Sequence, residues 1–226
     1  MAVPEKVAIL TGGSGNLGPI WRSELEGMGY RVVNLDLPNC NVADNLDVKR
    51  AAVAYPESWP APKVIVNNAA IDNPPGSEAR FFGNYQRIID VNLNGALNVC
   101  NEFIPKMKSG VVVNIGSIQG NSGADWRNYP EGFEKPVGYN VSKAALVQLS
   151  RSICTQYGRY GIRSVTISFG PFDSGLPETF KSKFLHNVPL GRTISEQSFR
   201  KTLRYAIECP ELTGQQIIVD GGLLAW

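Results

Sequence analysis

Residue types that carry chemistry in many proteins are scarce in this sequence of 226 residues. His186 is the only histidine, so neither a Ser-His-Asp hydrolase nor a metal site built from several histidines is expected. The four cysteines are widely separated and form no C-x-x-C pair, which predicts reduced structural thiols and no metal centre. They are Cys40, Cys100, Cys154 and Cys209.

Long apolar runs and a strong charge of one sign are also missing. The longest apolar runs have about five residues, against the roughly 20 that a membrane-spanning helix needs. The chain carries 22 basic and 20 acidic residues, a net charge of +2, which favours neither nucleic acid nor an anionic membrane as a partner. The first residues lead into a strand-like run without a signal-peptide pattern, so a cytoplasmic location is expected.

Short apolar, β-branched runs alternate with helical patterns along the chain, which predicts one doubly wound α/β domain around a parallel sheet of about seven strands. Only residues 37–39 separate Asp36 from Cys40–Asp44, where the third strand is expected, and no helix fits between them. The crossover between strands two and three is therefore expected to be shortened. The predicted strands include 6–11, 31–35, 63–66, 111–115, 162–169 and 216–219, and the main predicted helices are 20–29, 47–54, 82–107, 139–158 and 196–208.

A glycine-rich turn follows the first predicted strand and leads into a helix that has Pro19 in its first turn. Small residues there allow close approach of a pyrophosphate, and the helix N-terminus offers free N–H groups to it. The alternative is a glycine-rich turn without a ligand. The residues predicted to bind a dinucleotide in this turn are Gly12, Ser14, Gly15, Asn16, Leu17 and Gly18.

An acidic residue, Asp36, ends the second predicted strand. Its carboxylate would accept hydrogen bonds from both ribose hydroxyls of an adenosine and would repel a 2′-phosphate. No arginine or lysine in the glycine turn would attract that phosphate. The pattern favours NAD over NADP, the alternative being an ordinary aspartate in a strand-end turn.

A tyrosine and a lysine, Tyr139 and Lys143, stand four residues apart at the start of a predicted helix. Residues at this spacing share one helical face, so both side chains can reach one cleft. A nearby ammonium would lower the pKa of the phenol from about 10 and make it a general acid and base near neutral pH. The pair alone is also compatible with a solvated helix face.

The ordered set of motifs resembles the short-chain dehydrogenase/reductase family over nearly the whole chain. The matching segments are Thr11–Gly18, Asn67-Asn68-Ala69-Ala70, Val91-Asn92-Leu93-Asn94-Gly95, Asn114-Ile115-Gly116-Ser117, the Tyr139/Lys143 pair and Gly214–Gly222. The resemblance implies one NAD-binding domain over residues 1–226, with a cofactor half to about residue 115 and a catalytic and substrate half after it.

The resemblance also implies roles for individual residues. Tyr139 exchanges a proton with the reacting oxygen, Lys143 lowers its pKa and holds the nicotinamide ribose, Ser117 binds the reacting oxygen, and Asn92 holds a relay water. Adenine contacts fall to Asn41 and Val42, with Asp44 as a second candidate for the polar contact. Further implied cofactor contacts are Asn68, Ala69, Ala70, Gly170, Phe172 and Ser174.

The chain departs from the usual family pattern at three places. Asn16 stands where a glycine is common, Phe169 replaces a proline, and Ser117 and Tyr139 are 22 residues apart, which leaves a long loop between them. The loop resembles a branch of the family found in bacterial surface-glycan and flagellin-modification gene sets. Its residues could stack on a sugar ring and bind a phosphate or carboxylate, or pack on one another or on another subunit. The substrate candidates in and beside the loop are Gln119, Trp126, Arg127 and Tyr129. His186, in the segment after the sixth strand, could contact the substrate or be an ordinary surface histidine.

The expected function is an NAD(H)-dependent oxidoreductase that interconverts a secondary alcohol and a carbonyl on a sugar or sugar-nucleotide-like substrate. The spacing of Gly15 leaves open an epimerase or dehydratase, although the segment after Gly170 is short for a sugar-nucleotide domain. An NAD-binding regulator without turnover is the third possibility. The resemblance further implies a homodimer or homotetramer.

Overall fold

A computed structural model describes residues 4–72, 80–173, 175 and 177–225. Six parallel strands form one sheet in the order β2-β1-β3-β4-β5-β6. The strands are β1 Val7–Thr11, β2 Arg31–Leu35, β3 Val64–Asn67, β4 Gly110–Ile115, β5 Ile162–Phe169 and β6 Gln216–Val219. The helices are α1 Gly18–Gly27, α2 Asn45–Val53, α3 Tyr85–Ile89, α4 Gly95–Phe103, α5 Val137–Tyr157, α6 Glu178–His186 and α7 Glu196–Glu208.

The sheet is covered on both faces, which is why its central strands are continuous apolar runs. Every residue of β1 and β3 is buried. One face packs against α2, α4 and α5, where Phe103 and Ile153 are buried, and the other packs against α1 and α7, where Trp21 and Leu203 are buried. The predicted single doubly wound α/β fold is confirmed.

The sheet has six strands rather than about seven, because residues 40–44 form turns instead of a strand. The side chain of Asn41 accepts a 3.1 Å hydrogen bond from the amide of Ala43, and Asp44 caps α2 by accepting one of 2.9 Å from Leu46. These local bonds compete with strand formation. β2 is therefore an edge strand, and the chain passes through α2 to β3 on the far side of β1.

The long helix predicted over residues 82–107 is divided into α3 and α4 by a π-helical turn at Asp90–Asn94. Asn92, Asn94 and Gly95, which are poor residues for a helix interior, lie in or directly after this turn. The segment predicted to be loop-rich after β5 contains α6. Within the described parts of the chain, no helix is both long and apolar enough to span a membrane.

Candidate active site

A cavity of about 1090 Å³ lies at the carboxyl ends of the strands. It extends from the ends of β1 and β2 past β3 and β4 to α6, so the turns after four strands face one space. In an open α/β sheet this edge is where ligands bind. The predicted residues that line the cavity are Gly12, Gly15, Asn16, Leu17, Asp36, Asn41, Val42, Ala69, Ala70, Asn68, Ser117, Gln119, Tyr129, Tyr139, Lys143, Gly170 and Phe172.

The glycine turn is closed to larger side chains at two positions. Gly12 has a φ of +63°, and a Cβ on Gly18 would lie 2.4 Å from the carbonyl carbon of Gly13. Short backbone bonds hold the turn, from the amide of Gly15 to Gly12 at 3.1 Å and from Gly18 to Gly15 at 3.1 Å. No side chain caps α1, and the amides of Gly18, Ile20 and Trp21 donate to the carbonyls of Gly15 and Leu17. The N–H groups that the turn offers to a ligand are therefore those of Asn16 and Leu17, directly before the helix. This cradle fits a dinucleotide pyrophosphate.

The polar residues around the glycine turn differ in whether they face the cavity. The carboxylate of Asp36 accepts hydrogen bonds from the amides of Ser14, at 2.7 Å, and Leu37, at 2.9 Å. Its remaining lone pairs are available to ribose hydroxyls. Ser14 and Gly18 shape the turn but do not line the cavity. Of the two candidates for adenine, Asn41 lines the cavity, whereas Asp44 is used as the cap of α2.

Asn68 supports the turn through its own side chain. Its amide nitrogen donates to the carbonyl oxygens of Thr11, at 3.1 Å, and Gly12, at 2.9 Å, and its oxygen accepts 2.8 Å from the indole of Trp21. Asn34 likewise accepts a 3.0 Å bond from the amide of Gly13. Trp21 and Asn34 were not predicted, because only their periodicity in a helix and a strand is visible in the sequence.

Three of the predicted catalytic residues meet at one point of the cavity. The side chain of Ser117 faces the phenol of Tyr139 and lowers its pKa. The ammonium of Lys143 lies 5.6 Å from the centroid of the Tyr139 ring and donates a 2.7 Å hydrogen bond to the carbonyl oxygen of Ile115. The first turns of α5 carry Tyr139 and Lys143, and the end of β4 carries Ser117. The arrangement is a phenol with a hydroxyl partner and a buried cation beside it.

The pKa of Tyr139 is raised, whereas the Tyr139/Lys143 spacing predicted that it would be lowered. Burial is the largest cause and raises the pKa of Tyr139, the charge of Asp72 raises it further, and only the hydrogen bond with Ser117 lowers it. Burial also lowers the pKa of Lys143 to about 8, while Asp72 acts in the other direction. Desolvation outweighs the attraction between the two groups, and the sequence carries no measure of it.

Asn92 is buried away from the cavity, and its side-chain amide is engaged on both sides. Its oxygen accepts a 2.8 Å bond from the amide of Ile71, and its nitrogen donates to the carbonyl of Ile71 at 3.0 Å and to the hydroxyl of Ser142 at 3.1 Å. The residue thereby ties the turn after β3 to α5. Its role in holding a relay water stays a prediction.

The long loop brings only part of its predicted residues to the cavity. Tyr129 is buried against Phe133, with ring centroids 4.7 Å apart, and against Phe180 of α6, at 5.2 Å. The side chain of Gln119 donates a 3.3 Å bond to the hydroxyl of Tyr129. The side-chain amide oxygen of Gln119 is buried and has no hydrogen-bond partner among the described residues.

Three substrate candidates lie away from the main cavity. Trp126 is 80% exposed, because its short 3-10 turn points it outward. Arg127 pairs with Asp125 at 2.8 Å and borders a smaller neighbouring cavity of about 290 Å³. His186 is exposed at the end of α6 and lines neither cavity. These positions do not bring the three side chains to the main cavity, and their contact with a substrate stays a prediction.

At the end of β5, Gly170 packs against Asp220, since a Cβ on Gly170 would lie 2.8 Å from the Asp220 Cα atom. Phe169, which replaces the family's proline, is buried against Trp21 and also reaches the cavity wall. Ser174 lies outside the described residues. No cluster of three or more histidine, cysteine or acidic side chains that could hold a metal occurs in the described ranges.

The structure adds an ion pair that sequence reasoning did not find. Lys135, from the loop before α5, pairs with Asp72, from the turn after β3. The ammonium of Lys135 lies 4.9 Å from the centroid of the Tyr139 ring. Lys181 of α6 lines the same cavity. No sequence signal connects Lys135 with Asp72, because 63 residues separate them.

Comparison with protein families matches residues 27–224 to the model described as "Enoyl-(Acyl carrier protein) reductase". Three curated relatives are similar to the chain. They are an uncharacterized short-chain type dehydrogenase/reductase, y4vI, of Sinorhizobium fredii (27% identity, 98% of this chain), a 3-oxoacyl-[acyl-carrier-protein] reductase, FabG, of Chlamydia muridarum (31%, 71%), and the human 3-hydroxyacyl-CoA dehydrogenase type-2 (27%, 96%). The chain spans 44%, 64% and 94% of their respective lengths.

Solved structures show the same fold. A short-chain dehydrogenase of Leptospira borgpetersenii with bound NAD+ matches with a TM-score of 0.85 at 22% identity, covering 98% of this chain and 93% of that one. A gluconate 5-dehydrogenase of Burkholderia cenocepacia in complex with NADP and tartrate matches with a TM-score of 0.85 at 20% identity, covering 99% and 97%. Similar folds therefore hold either nicotinamide dinucleotide.

Proposed function

The chain belongs to the short-chain dehydrogenase/reductase family, and from this membership we propose that it interconverts a secondary alcohol and a carbonyl with NAD(H), using Tyr139 as general acid and base. The observation that carries the proposal is the meeting of Tyr139, Ser117 and Lys143 in the cavity that also contains the glycine turn. The same meeting argues against a regulator without turnover, which has no need of these three groups together.

The chain's own residues would move one proton. In the oxidation direction, Tyr139 accepts the proton of the substrate hydroxyl while Ser117 donates a hydrogen bond to the same oxygen. In the reduction direction, Tyr139 returns the proton to the carbonyl oxygen. Lys143 stabilises the phenolate by its charge, because it lies within a few ångströms of the ring. When bound, the nicotinamide supplies or accepts the hydride.

We propose NAD rather than NADP as the physiological cofactor. Asp36 lines the cavity at the end of β2 and would accept hydrogen bonds from the adenosine ribose, whereas its charge would repel a 2′-phosphate. The turn itself, Gly12–Gly18, contains no basic residue. Gly12, Gly15, Asn16 and Leu17 would hold the pyrophosphate, and Asn41, Val42 and Gly170 would border the two ends of the dinucleotide.

For the substrate we propose a polyhydroxylated, sugar-like molecule. Beside Ser117, the cavity wall combines the aromatic rings of Tyr129 and Phe180 with the polar side chain of Gln119. Aromatic faces and amide groups together suit a ring or chain that has apolar C–H faces and hydroxyl edges.

The assembly that we propose is a homodimer or homotetramer in the cytoplasm. Leu97 of α4 and Val141 of α5 are both 42% exposed. An interface in which these helices pack against a second copy of the chain would cover both side chains. Light scattering coupled to size-exclusion chromatography tests the proposal, and a monomer at micromolar concentration would contradict it.

The experiment for the function has two stages. Binding is measured first, by the fluorescence of NADH titrated with the protein. Turnover is then followed by NADH absorbance with polyols, aldonic acids, sugar phosphates and a 3-hydroxyacyl thioester as candidate substrates. We expect NADH binding and turnover of at least one polyhydroxylated alcohol. NADH binding without turnover of any candidate, together with an unchanged Tyr139→Phe variant, would favour the regulator instead.

A further inference from the structure

Among the residues that the structure describes, the cavity is lined by four basic side chains, Arg87, Lys135, Lys143 and Lys181, and three acidic ones, Asp36, Asp72 and Asp90. The ammonium of Lys143 is held by the carbonyl of Ile115, and Asp36 is bound to the amides of the glycine turn. Asp90 accepts hydrogen bonds from the side chains of Gln86 and Asn94.

Lys135 and Lys181 share an arrangement with their acidic partners. Lys135 pairs with Asp72, and Lys181 pairs with Asp173 at 2.9 Å. In each pair the lysine is the more buried member, with 10% of the Lys135 side chain exposed against 31% for Asp72, and 24% for Lys181 against 60% for Asp173. Asp72 lines the cavity together with Lys135, so an anion that binds this lysine would displace the carboxylate that has the greater access to water.

The position of Lys135 puts this charge next to the reacting group. Its ammonium lies 4.9 Å from the centroid of the Tyr139 ring, whose phenol faces Ser117. A substrate whose hydroxyl contacts Tyr139 has its neighbouring atoms within reach of Lys135. Lys181 comes from α6, directly after Phe180, whose ring packs on Tyr129 across the cavity wall.

We propose that the substrate is anionic, and that Lys135, assisted by Lys181, binds its carboxylate or phosphate in place of Asp72 and Asp173. The inference rests on the proposed function and narrows its substrate class to sugar acids or sugar phosphates. An entering anion exchanges one ion pair for another, so the lysines never lose a partner in a partly buried site. A neutral polyol would leave both pairs closed and would gain no charge-assisted hydrogen bond.

The test compares substrates that differ in charge. Oxidation of D-sorbitol, D-gluconate and D-sorbitol 6-phosphate is measured with NAD+ for the wild type and for Lys135→Met, Lys181→Met and Lys135→Arg. We expect wild-type kcat/KM to favour an anionic substrate by about tenfold or more, and Lys135→Met to reduce that preference by about 10- to 100-fold through KM. The ratio of anionic to neutral substrate cancels any common effect on Tyr139. Comparison of D-gluconate with D-sorbitol 6-phosphate shows whether the site prefers a carboxylate or a phosphate.

Three variants separate a binding role from a structural one. Lys135→Arg should restore the preference, since it keeps the charge. Asp72→Asn should lower KM for the anionic substrate, because it removes the competing carboxylate. Lys183→Met, an exposed lysine of α6 that lines neither cavity, should leave the preference unchanged.

A second measurement does not depend on turnover. Thermal unfolding of the NADH-bound protein is followed with L-tartrate, inorganic phosphate or neutral glycerol added. Stabilisation of the wild type by an anion, lost in Lys135→Met and kept in Lys183→Met, supports the proposal. Equal use of neutral and anionic polyols, or no anion-dependent stabilisation, overturns it while leaving the oxidoreductase function intact. Absence of turnover with every alcohol contradicts the function, and the thermal measurement still decides the anion site.

Discussion

Lys143 donates a 2.7 Å hydrogen bond from its ammonium to the carbonyl oxygen of Ile115, the last residue of β4. This bond joins the helix that carries the general acid and base to the strand end that leads to Ser117. It fixes the lysine beside the Tyr139 ring in a place where only 3% of its surface meets solvent. The position of the charge is therefore determined by the sheet as well as by the helical spacing.

The variant Tyr139→Phe should lose turnover and keep cofactor binding. The phenol faces the side chain of Ser117 and would be the group that exchanges a proton at the reacting oxygen. We expect kcat to fall by about 10²- to 10⁴-fold, the usual contribution of a general acid and base. The dissociation constant for NADH should change by less than about threefold. Wild-type turnover in this variant would end the proposed mechanism.

Replacing Lys143 by methionine should stabilise the protein near neutral pH while removing activity. Burial lowers the Lys143 pKa to about 8 from its ordinary value of 10.5, so the charged lysine opposes folding. We expect the free energy of unfolding to rise by about 1 to 2 kcal/mol after allowance for the lost bond to Ile115.

The pH dependence of that difference provides the control. Below about pH 8, Lys143 is charged in the folded and the unfolded protein, and wild type carries the full cost of burial. Between about pH 8 and 10.5 the folded protein loses this proton first, so wild-type stability rises towards that of the variant. Urea unfolding of both proteins across this range measures the change. A difference that does not shrink with pH would contradict the assignment.

Asp36→Ala should weaken NAD binding by about tenfold or more and improve the ratio of NADP to NAD use. The carboxylate is at the cavity and would meet the ribose, so its loss removes both an acceptor and a repulsive charge. Asp44→Ala is the matched control, because Asp44 caps α2 instead. It should cost about 1 kcal/mol of stability and leave the cofactor ratio unchanged. An unchanged ratio in Asp36→Ala would remove that residue from the ribose site.

Gly18→Ala should abolish NADH binding, whereas Gly27→Ala should not. A Cβ on Gly18 would lie 2.4 Å from the carbonyl carbon of Gly13, which is backbone and cannot turn away. We expect a loss of about 1 to 3 kcal/mol of stability and a deformed turn. A Cβ on Gly27, in the same helix, meets nothing within 4 Å and should add about 0.5 to 1 kcal/mol. Normal NADH affinity in Gly18→Ala would show that the turn is not the phosphate cradle.

The parts of the site that could be predicted are those determined by contiguous residues. The glycine turn, the strand-end asparagine Asn68 and the Tyr139/Lys143 spacing each fix their geometry over a few residues. The strand count failed at residues 40–44 because side-chain turns at Asn41 and Asp44 replace strand pairing. Such local competition is hard to read from a short polar segment.

The parts that could not be predicted depend on contacts between distant segments. The Asp72 and Lys135 pair joins residues 63 positions apart, and the outward position of Trp126 follows from how its loop packs on α6. The rise in the Tyr139 pKa follows from burial beneath several elements at once. The Tyr139/Lys143 spacing predicted a lowered pKa, because spacing shows which residues are neighbours but not how strongly they are desolvated.

Asp72→Asn should move the pH profile of alcohol oxidation to lower pH. The charge of Asp72 raises the pKa of Tyr139, and the phenolate is the form that accepts the substrate proton. Removing that charge lowers the pKa of Tyr139, so the rising limb of kcat/KM shifts to lower pH and the rate near neutral pH increases severalfold.

Lys135→Met removes the cation over the Tyr139 ring and should shift the rising limb of kcat/KM to higher pH. Asp125→Asn, an acid of the outer loop that does not line the main cavity, serves as the control and should leave the profile in place. Identical profiles for wild type and Asp72→Asn would mean that another group sets the apparent pKa of the reaction.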